Sequence, residues 1–65
     1  MVQVNGERID AADGVTLARY LEQNGYKKDR IAVECNGEIV PKAEYESRVL
    51  QDGDVIEVVS FVGGG

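Results

Sequence analysis

The sequence predicts an α+β fold in which a mixed four- to five-stranded sheet carries one main helix packed across one face. Three observations predict it. Two short runs of alternating character are each followed by Asn-Gly-Glu, at Asn5-Gly6-Glu7 and Asn36-Gly37-Glu38. A single amphipathic stretch lies between Thr16 and Gly25. A β-branched run, Val55-Ile56-Glu57-Val58-Val59-Ser60-Phe61, stands close to the end of the sequence.

Val2 to Asn5 alternates apolar and polar as a half-buried strand does. Asn5-Gly6 is a strong hairpin signal, because both central residues of a type I′ turn need positive φ. Glu7 to Asp10 then reads as the return strand, and Asp13-Gly14 as a further turn. The helix that follows is expected to run about ten residues. Thr16 is placed to cap its first turn, and Val15 and Tyr20 to close over the entry as a hydrophobic staple. Leu17, Tyr20 and Leu21 share one face. Gly25 suits the left-handed residue that stops a helix, with Tyr26 folding back on Leu21.

Lys27 to Arg30 reads as a solvated connection. Ile31, Val33 and Cys35 alternate with Ala32, Glu34 and Asn36 and predict a third strand. Asn36-Gly37 turns the chain into a short fourth strand at Ile39-Val40, stopped by Pro41. Lys42 to Arg48 is a polar crossover with one helical turn around Tyr45. Val49-Leu50 adds a small apolar contact, and Asp52-Gly53-Asp54 turns the chain again. The long final run suits the middle of the sheet, buried between neighbours. Strand–strand–helix–strand–short strand–strand is the β-grasp, or ubiquitin-like, plan, with residues 1–62 as the domain and 63–65 as a flexible glycine tail.

Composition narrows the function. Sixty-five residues form one domain, which buries only about 60% of the surface its unfolded chain exposes, leaving little room for an enclosed substrate pocket. Hydrophobic residues make up 43% and are regularly patterned, which argues for a folded chain. Twelve acidic residues against seven basic ones give a net charge of −5. That sign disfavours nucleic acid and anionic membranes and suits a protein partner with a basic patch. There is no histidine, and Cys35 is the single cysteine, so acid–base chemistry near neutral pH and Cys/His metal sites lack their usual ligands. No resident metal and no catalytic residue are expected. With no signal peptide and no apolar run long enough to span a bilayer, a cytoplasmic location is expected.

In the last strand Ile56 and Val58 share one face with Ser60, while Val55, Glu57, Val59 and Phe61 share the other. One helix covers one face of a sheet. Val59 and Phe61, with Val62 after them, therefore either finish the core or form a partner-docking patch at the root of the tail. Gly63, Gly64 and Gly65 carry no side chains, span roughly 10 Å when extended at about 3.3–3.6 Å per residue, and pass where a Cβ would not. Such a tail is either a frayed end or a thin leash that delivers the Gly65 α-carboxylate into another protein's active site.

Asn36-Gly37-Glu38-Ile39-Val40-Pro41, Asp52-Gly53-Asp54 and Phe61-Val62-Gly63-Gly64-Gly65, with the opening Val4-Asn5-Gly6-Glu7, resemble the ThiS family, the small sulfur carriers of thiamin biosynthesis. The resemblance covers essentially the whole chain. It implies that a ThiF-like adenylyltransferase uses ATP and Mg²⁺ to convert the Gly65 carboxylate to an acyl-adenylate. It further implies that sulfur from a cysteine desulfurase replaces AMP to give a thiocarboxylate, and that a ThiG-like thiazole synthase takes that sulfur into the thiazole ring. The carrier itself would bind no cofactor and catalyse nothing. Carriers for molybdopterin or for tRNA thiolation share the terminal Gly-Gly, and so do ubiquitin-like modifiers that form isopeptides. The Asn-Gly-Glu-Ile-Val-Pro stretch favours the thiamin branch. Cys35 belongs to no family motif and reads as a small core residue.

Overall fold

The computed structural model describes residues 1–10 and 14–61. Asp13 of the expected Asp13-Gly14 turn, Val62, and the tail residues Gly63, Gly64 and Gly65 lie outside the described residues. The elements are β1 (Val2–Val4), β2 (Glu7–Ile9), α1 (Leu17–Gln23), β3 (Ile31–Cys35), β4 (Glu38–Ile39) and β5 (Val55–Ser60). Short 3₁₀ turns at Lys28–Arg30 and Lys42–Glu44 join them.

The strands make one five-stranded sheet in the order β2-β1-β5-β3-β4. β5 is central, as its β-branched sequence requires. It runs parallel to β1, with Gln3 beside Val55 and Val4 beside Ile56. It runs antiparallel to β3 from Ile56 opposite Cys35 to Ser60 opposite Ile31. Each outer strand is the hairpin partner of its neighbour, β2 of β1 and β4 of β3, and both hairpins are built by the same chemistry. Asn5 and Gly6 have φ of 50° and 85°, and Asn36 and Gly37 have 54° and 86°, the positive pair that a type I′ turn demands.

α1 is seven residues long, shorter than the ten expected, because Thr16 and Asn24-Gly25 serve as its caps and not as turns of the helix. Every early amide finds an acceptor, as a helix start requires. Thr16 Oγ1 accepts from the Arg19 N–H at 3.1 Å. The Leu17 and Ala18 amides donate to the carbonyls of Arg48 and Tyr45, at 2.7 and 2.8 Å, so the crossover before β5 ties down the helix entrance. At the other end Gly25 has φ of 80°. The Tyr26 N–H reaches the Leu21 carbonyl at 2.9 Å and the Gly25 N–H reaches that of Glu22 at 3.2 Å, the paired bonds of a Schellman ending. Val15 and Tyr26 are half-buried against the core on either side of the helix.

The core lies between the helix and one face of the sheet. Leu17, Tyr20 and Leu21 meet Val2, Val4, Ile31, Val33, Ile56 and Val58, and Leu50, fully buried, closes one end. Tyr45 in the crossover is 2% exposed, and burial pushes its phenol up from the ordinary value. β4 lies one residue earlier than the expected Ile39-Val40. Val40 leaves the strand to enter the core, so β4 covers only Glu34 and Cys35. The uncovered part of β3 is held by the Val40 N–H, which donates to the Val33 carbonyl at 2.9 Å. The Lys42 ammonium donates to the Ile31 carbonyl at 3.0 Å. A lysine on a free edge also discourages pairing with a foreign strand.

Candidate functional site: the uncovered sheet face at the root of the tail

Period-two alternation divides β5 cleanly. Ile56 and Val58 are buried under α1, at 0% and 8% exposure, whereas Val59 and Phe61 on the opposite face are 56% and 50% exposed. The two residues expected at the root of the tail therefore do not finish the core. They stand on the side of the sheet that no helix among the described residues covers. Val62, the third residue expected there, lies outside the described residues.

The register shows which side chains accompany them. Ala32 is directly opposite Val59, Glu34 is opposite Glu57, and Ile39 on β4 is opposite Glu34. Directly opposed residues of an antiparallel pair project from the same face. The uncovered face thus has an apolar end formed by Val59, Phe61 and Ala32, then an acidic row of Glu57 and Glu34 with Ile39 at its margin, 74% exposed. Like charges directly opposed across strands cost stability, and a cationic group from outside would relieve that cost. This pairing was invisible in the sequence, since it depends on a register set by residues far apart.

The chain leaves the sheet under control. Beyond Ser60, the Phe61 N–H donates to the Arg30 carbonyl at 2.7 Å. β3 and the turn before it therefore hold β5 up to the residue that precedes Val62.

Cys35 is buried on the inner face, at 3% exposure, among the core residues with which its alternation grouped it. Burial pushes its thiol up, and this outweighs the lowering effect of the Arg48 guanidinium beside it. A thiol held protonated in this way is a poor nucleophile. Among the described residues no group of three or more His, Cys, Asp or Glu is placed to hold a metal ion. No helix among them is long and apolar enough to cross a membrane. A shallow groove of about 240 Å³, lined by Leu21, Tyr26, Tyr45 and their neighbours, brings together no nucleophile with a base.

Comparison with known proteins adds to this geometry. The model of the ThiS family matches residues 2–65. The sulfur carrier protein ThiS of Thermus thermophilus is 42% identical over 65 residues, covering 100% of both chains. A thiazole synthase of Paramagnetospirillum magneticum is 40% identical over 62 residues, which are 95% of this chain but 19% of that protein. The chain thus spans about a fifth of the length of that relative. Among solved structures, the crystal structure of the thiamine biosynthesis protein ThiS from Geobacter metallireducens superposes with a TM-score of 0.76 at 28% identity, covering 98% of this chain and 97% of that one.

Proposed function

The chain belongs to the ThiS family, and we propose that it is a sulfur carrier of thiamin biosynthesis whose reacting group is the α-carboxylate of Gly65. One observation carries this proposal: the family match runs through the glycines at 63–65, which follow the end of the central strand at Ser60 after two residues, Phe61 and Val62.

A carboxylate is a poor electrophile. A ThiF-like adenylyltransferase would supply what it lacks, with ATP and Mg²⁺ bound by that enzyme and not by the carrier. A Gly65 carboxylate oxygen attacks the α-phosphorus of ATP and expels pyrophosphate. A persulfide, its outer sulfur drawn from cysteine through a desulfurase, then attacks the acyl carbon and displaces AMP to give an acyl disulfide. A thiol cleaves the S–S bond to leave the thiocarboxylate and a disulfide. The partner enzyme stabilises the developing charge, since the described residues of the carrier form no desolvated site in which to do so. A ThiG-like thiazole synthase is the acceptor of the sulfur. The similarity of this chain to a fifth of a thiazole synthase supports that pairing. Docking falls to Val59, Phe61 and Val62, with Gly63 and Gly64 as the narrow lead to the active site. The opposed Glu34 and Glu57 favour a partner with a basic contact on the same face. These reactions belong to the cytoplasm.

Intact-mass analysis of the protein purified from cells grown without thiamin tests the assignment. Exchange of one oxygen for sulfur, localised to Gly65 by fragmentation, is expected. A ladder of conjugates to lysines would instead make the chain a modifier. An unmodified C-terminus under conditions of active thiazole synthesis would remove the carrier role.

A further inference from the structure

Asn5 and Asn36 stand at the same position of two turns with the same backbone conformation. Tolerance of positive φ explains an asparagine there, but glycine would meet that need as well. What glycine could not supply is the contact each side chain makes, and both reach β5.

Asn36 grips the start of the strand. Its N–H donates to the Val55 carbonyl at 2.8 Å. Its Oδ1 accepts from the Val55 N–H at 2.9 Å, which adds one rung to the β3–β5 ladder. Its Nδ2 also donates to Asp54 Oδ1 at 3.0 Å. Asn5 grips the same strand further on, from the other side. The β1–β5 register ends at Val4 beside Ile56, and the Asn5 N–H donates to the Ile56 carbonyl at 2.9 Å. In a continued parallel ladder the next bond would run from the Val58 N–H to the carbonyl of Asn5. Here the backbone turns away and the side chain substitutes for it, with Asn5 Oδ1 accepting from the Val58 N–H at 2.8 Å. Among the described residues, Val58 is the last of β5 that this side of the sheet reaches.

We propose that Asn5 is a positioning residue for the activation of Gly65: by holding β5 at Val58 from the β1 side, against the bonds that β3 and Arg30 make from the other, it sets with them the direction in which the chain leaves the sheet. The assignment rests on the carrier function proposed above. Drawn out in a partner's channel, the four residues after Phe61 would span at most about 14 Å, so a pivot of ten degrees at the root would then displace the carboxylate by roughly 2 Å on the same scale. A displacement of about 1 Å can cost around a hundredfold when reacting atoms must be aligned. Asn36, which pins the far end of the strand, serves stability and not direction, and is the internal control.

Pyrophosphate release from ATP, with purified ThiF-like adenylyltransferase and varied carrier concentration, measures this on Asn5→Gly, Asn5→Asp and Asn36→Gly. Amide exchange at Val58 is followed in parallel. Asn5→Gly keeps the turn but loses the acceptor. It should accelerate Val58 exchange and lower kcat about tenfold or more, with KM for the carrier within about twofold because the docking face is unchanged. Asn5→Asp keeps an acceptor oxygen and should restore kcat. Asn36→Gly should keep kcat within about twofold even where it destabilises the fold as much. An Asn5→Gly protein with faster Val58 exchange and the parent kcat overturns the assignment. So does a loss of kcat in both glycine variants that only follows the folded fraction. Should Asn5→Gly not fold, an Asn5→Asp protein with parental Val58 exchange but a tenfold lower kcat overturns it as well. A parent protein that releases no pyrophosphate overturns the Gly65 reading itself, and the assignment with it.

Discussion

Arg48 Nη2 donates to the sulfur of Cys35 at 2.7 Å and lies 3.8 Å from Asp54 Oδ1. The guanidinium thus spans from the buried end of β3 to the turn that launches β5. The sole thiol is part of a packing and hydrogen-bonding joint, and its protonated state is held by burial.

Cys35→Ser should therefore retain sulfur transfer. The hydroxyl can still accept from Arg48, while the loss of an apolar sulfur from the core should lower stability by about 1–2 kcal/mol. Urea unfolding and thiocarboxylate yield measure the two effects separately. A folded variant that no longer carries sulfur would give the thiol a part in the chemistry.

Val59→Asp and Phe61→Asp should weaken binding to the adenylyltransferase tenfold or more, the size of effect that truncating a central contact has. Both side chains are about half exposed, so each change should cost the fold less than about 1 kcal/mol. Calorimetric titration beside thermal unfolding distinguishes the two. Binding that falls only as the folded fraction falls would return these residues to the core.

Deleting Gly65 should leave unfolding within about 0.5 kcal/mol of the parent. It should reduce adenylation by roughly a hundredfold or more, because the carboxylate withdraws by about 3.5 Å. Adding one residue after Gly65 should be equally damaging. Either variant turning over at the parent rate would mean that the carboxylate of Gly65 does not react.

Alkaline pH should destabilise the protein. Burial pushes the Cys35 thiol and the Tyr20 and Tyr45 phenols up from their ordinary values, so each holds its proton longer in the folded chain. The unfolded chain therefore loses these protons first, and at higher pH it binds fewer protons than the native state. The stability contributed is present below the unfolded values, near about 8.5 for a thiol and about 10 for a phenol. It is lost as pH rises past them through the folded values. Unfolding free energy should be insensitive to these three groups at pH 7–8 and should fall from about pH 9 upward. A flat profile to pH 11 would contradict the burial assigned to them.

Much of the fold was legible because local signals coincided with tertiary need. Asn5-Gly6 and Asn36-Gly37 announce type I′ turns, Thr16 and Gly25 mark the helix limits, and alternation in Val55–Phe61 separates the covered face from the bare one. What could not be read was where side chains end up across long separations. An asparagine in a turn gives no sign that Asn5 will meet Val58, or Asn36 Val55. Nor does Glu34 reveal that it will stand opposite Glu57. These contacts follow from register, which the whole sheet decides. Tyr45 sat in a polar crossover and ends almost fully buried, because the helix start and the crossover share backbone hydrogen bonds.

The place of β5 between β1 and β3 also governs how the domain assembles. The β1–β2 hairpin and the segment from α1 to β4 share no rung of the sheet until Val55–Ser60 enters between them. Early folding can therefore make two separate pieces, each with an unpaired inner edge, and neither gains the burial of a complete sheet. The pairing of β1 with β5 closes a loop of more than fifty residues, with register from Gln3 to Val55. That entropy must be lost before the contact is gained, which slows folding relative to a chain whose contacts are local. A polypeptide interrupted before Val55 has no sheet to fall back on. The strand that precedes the glycines in the sequence is thus also the one that completes the sheet.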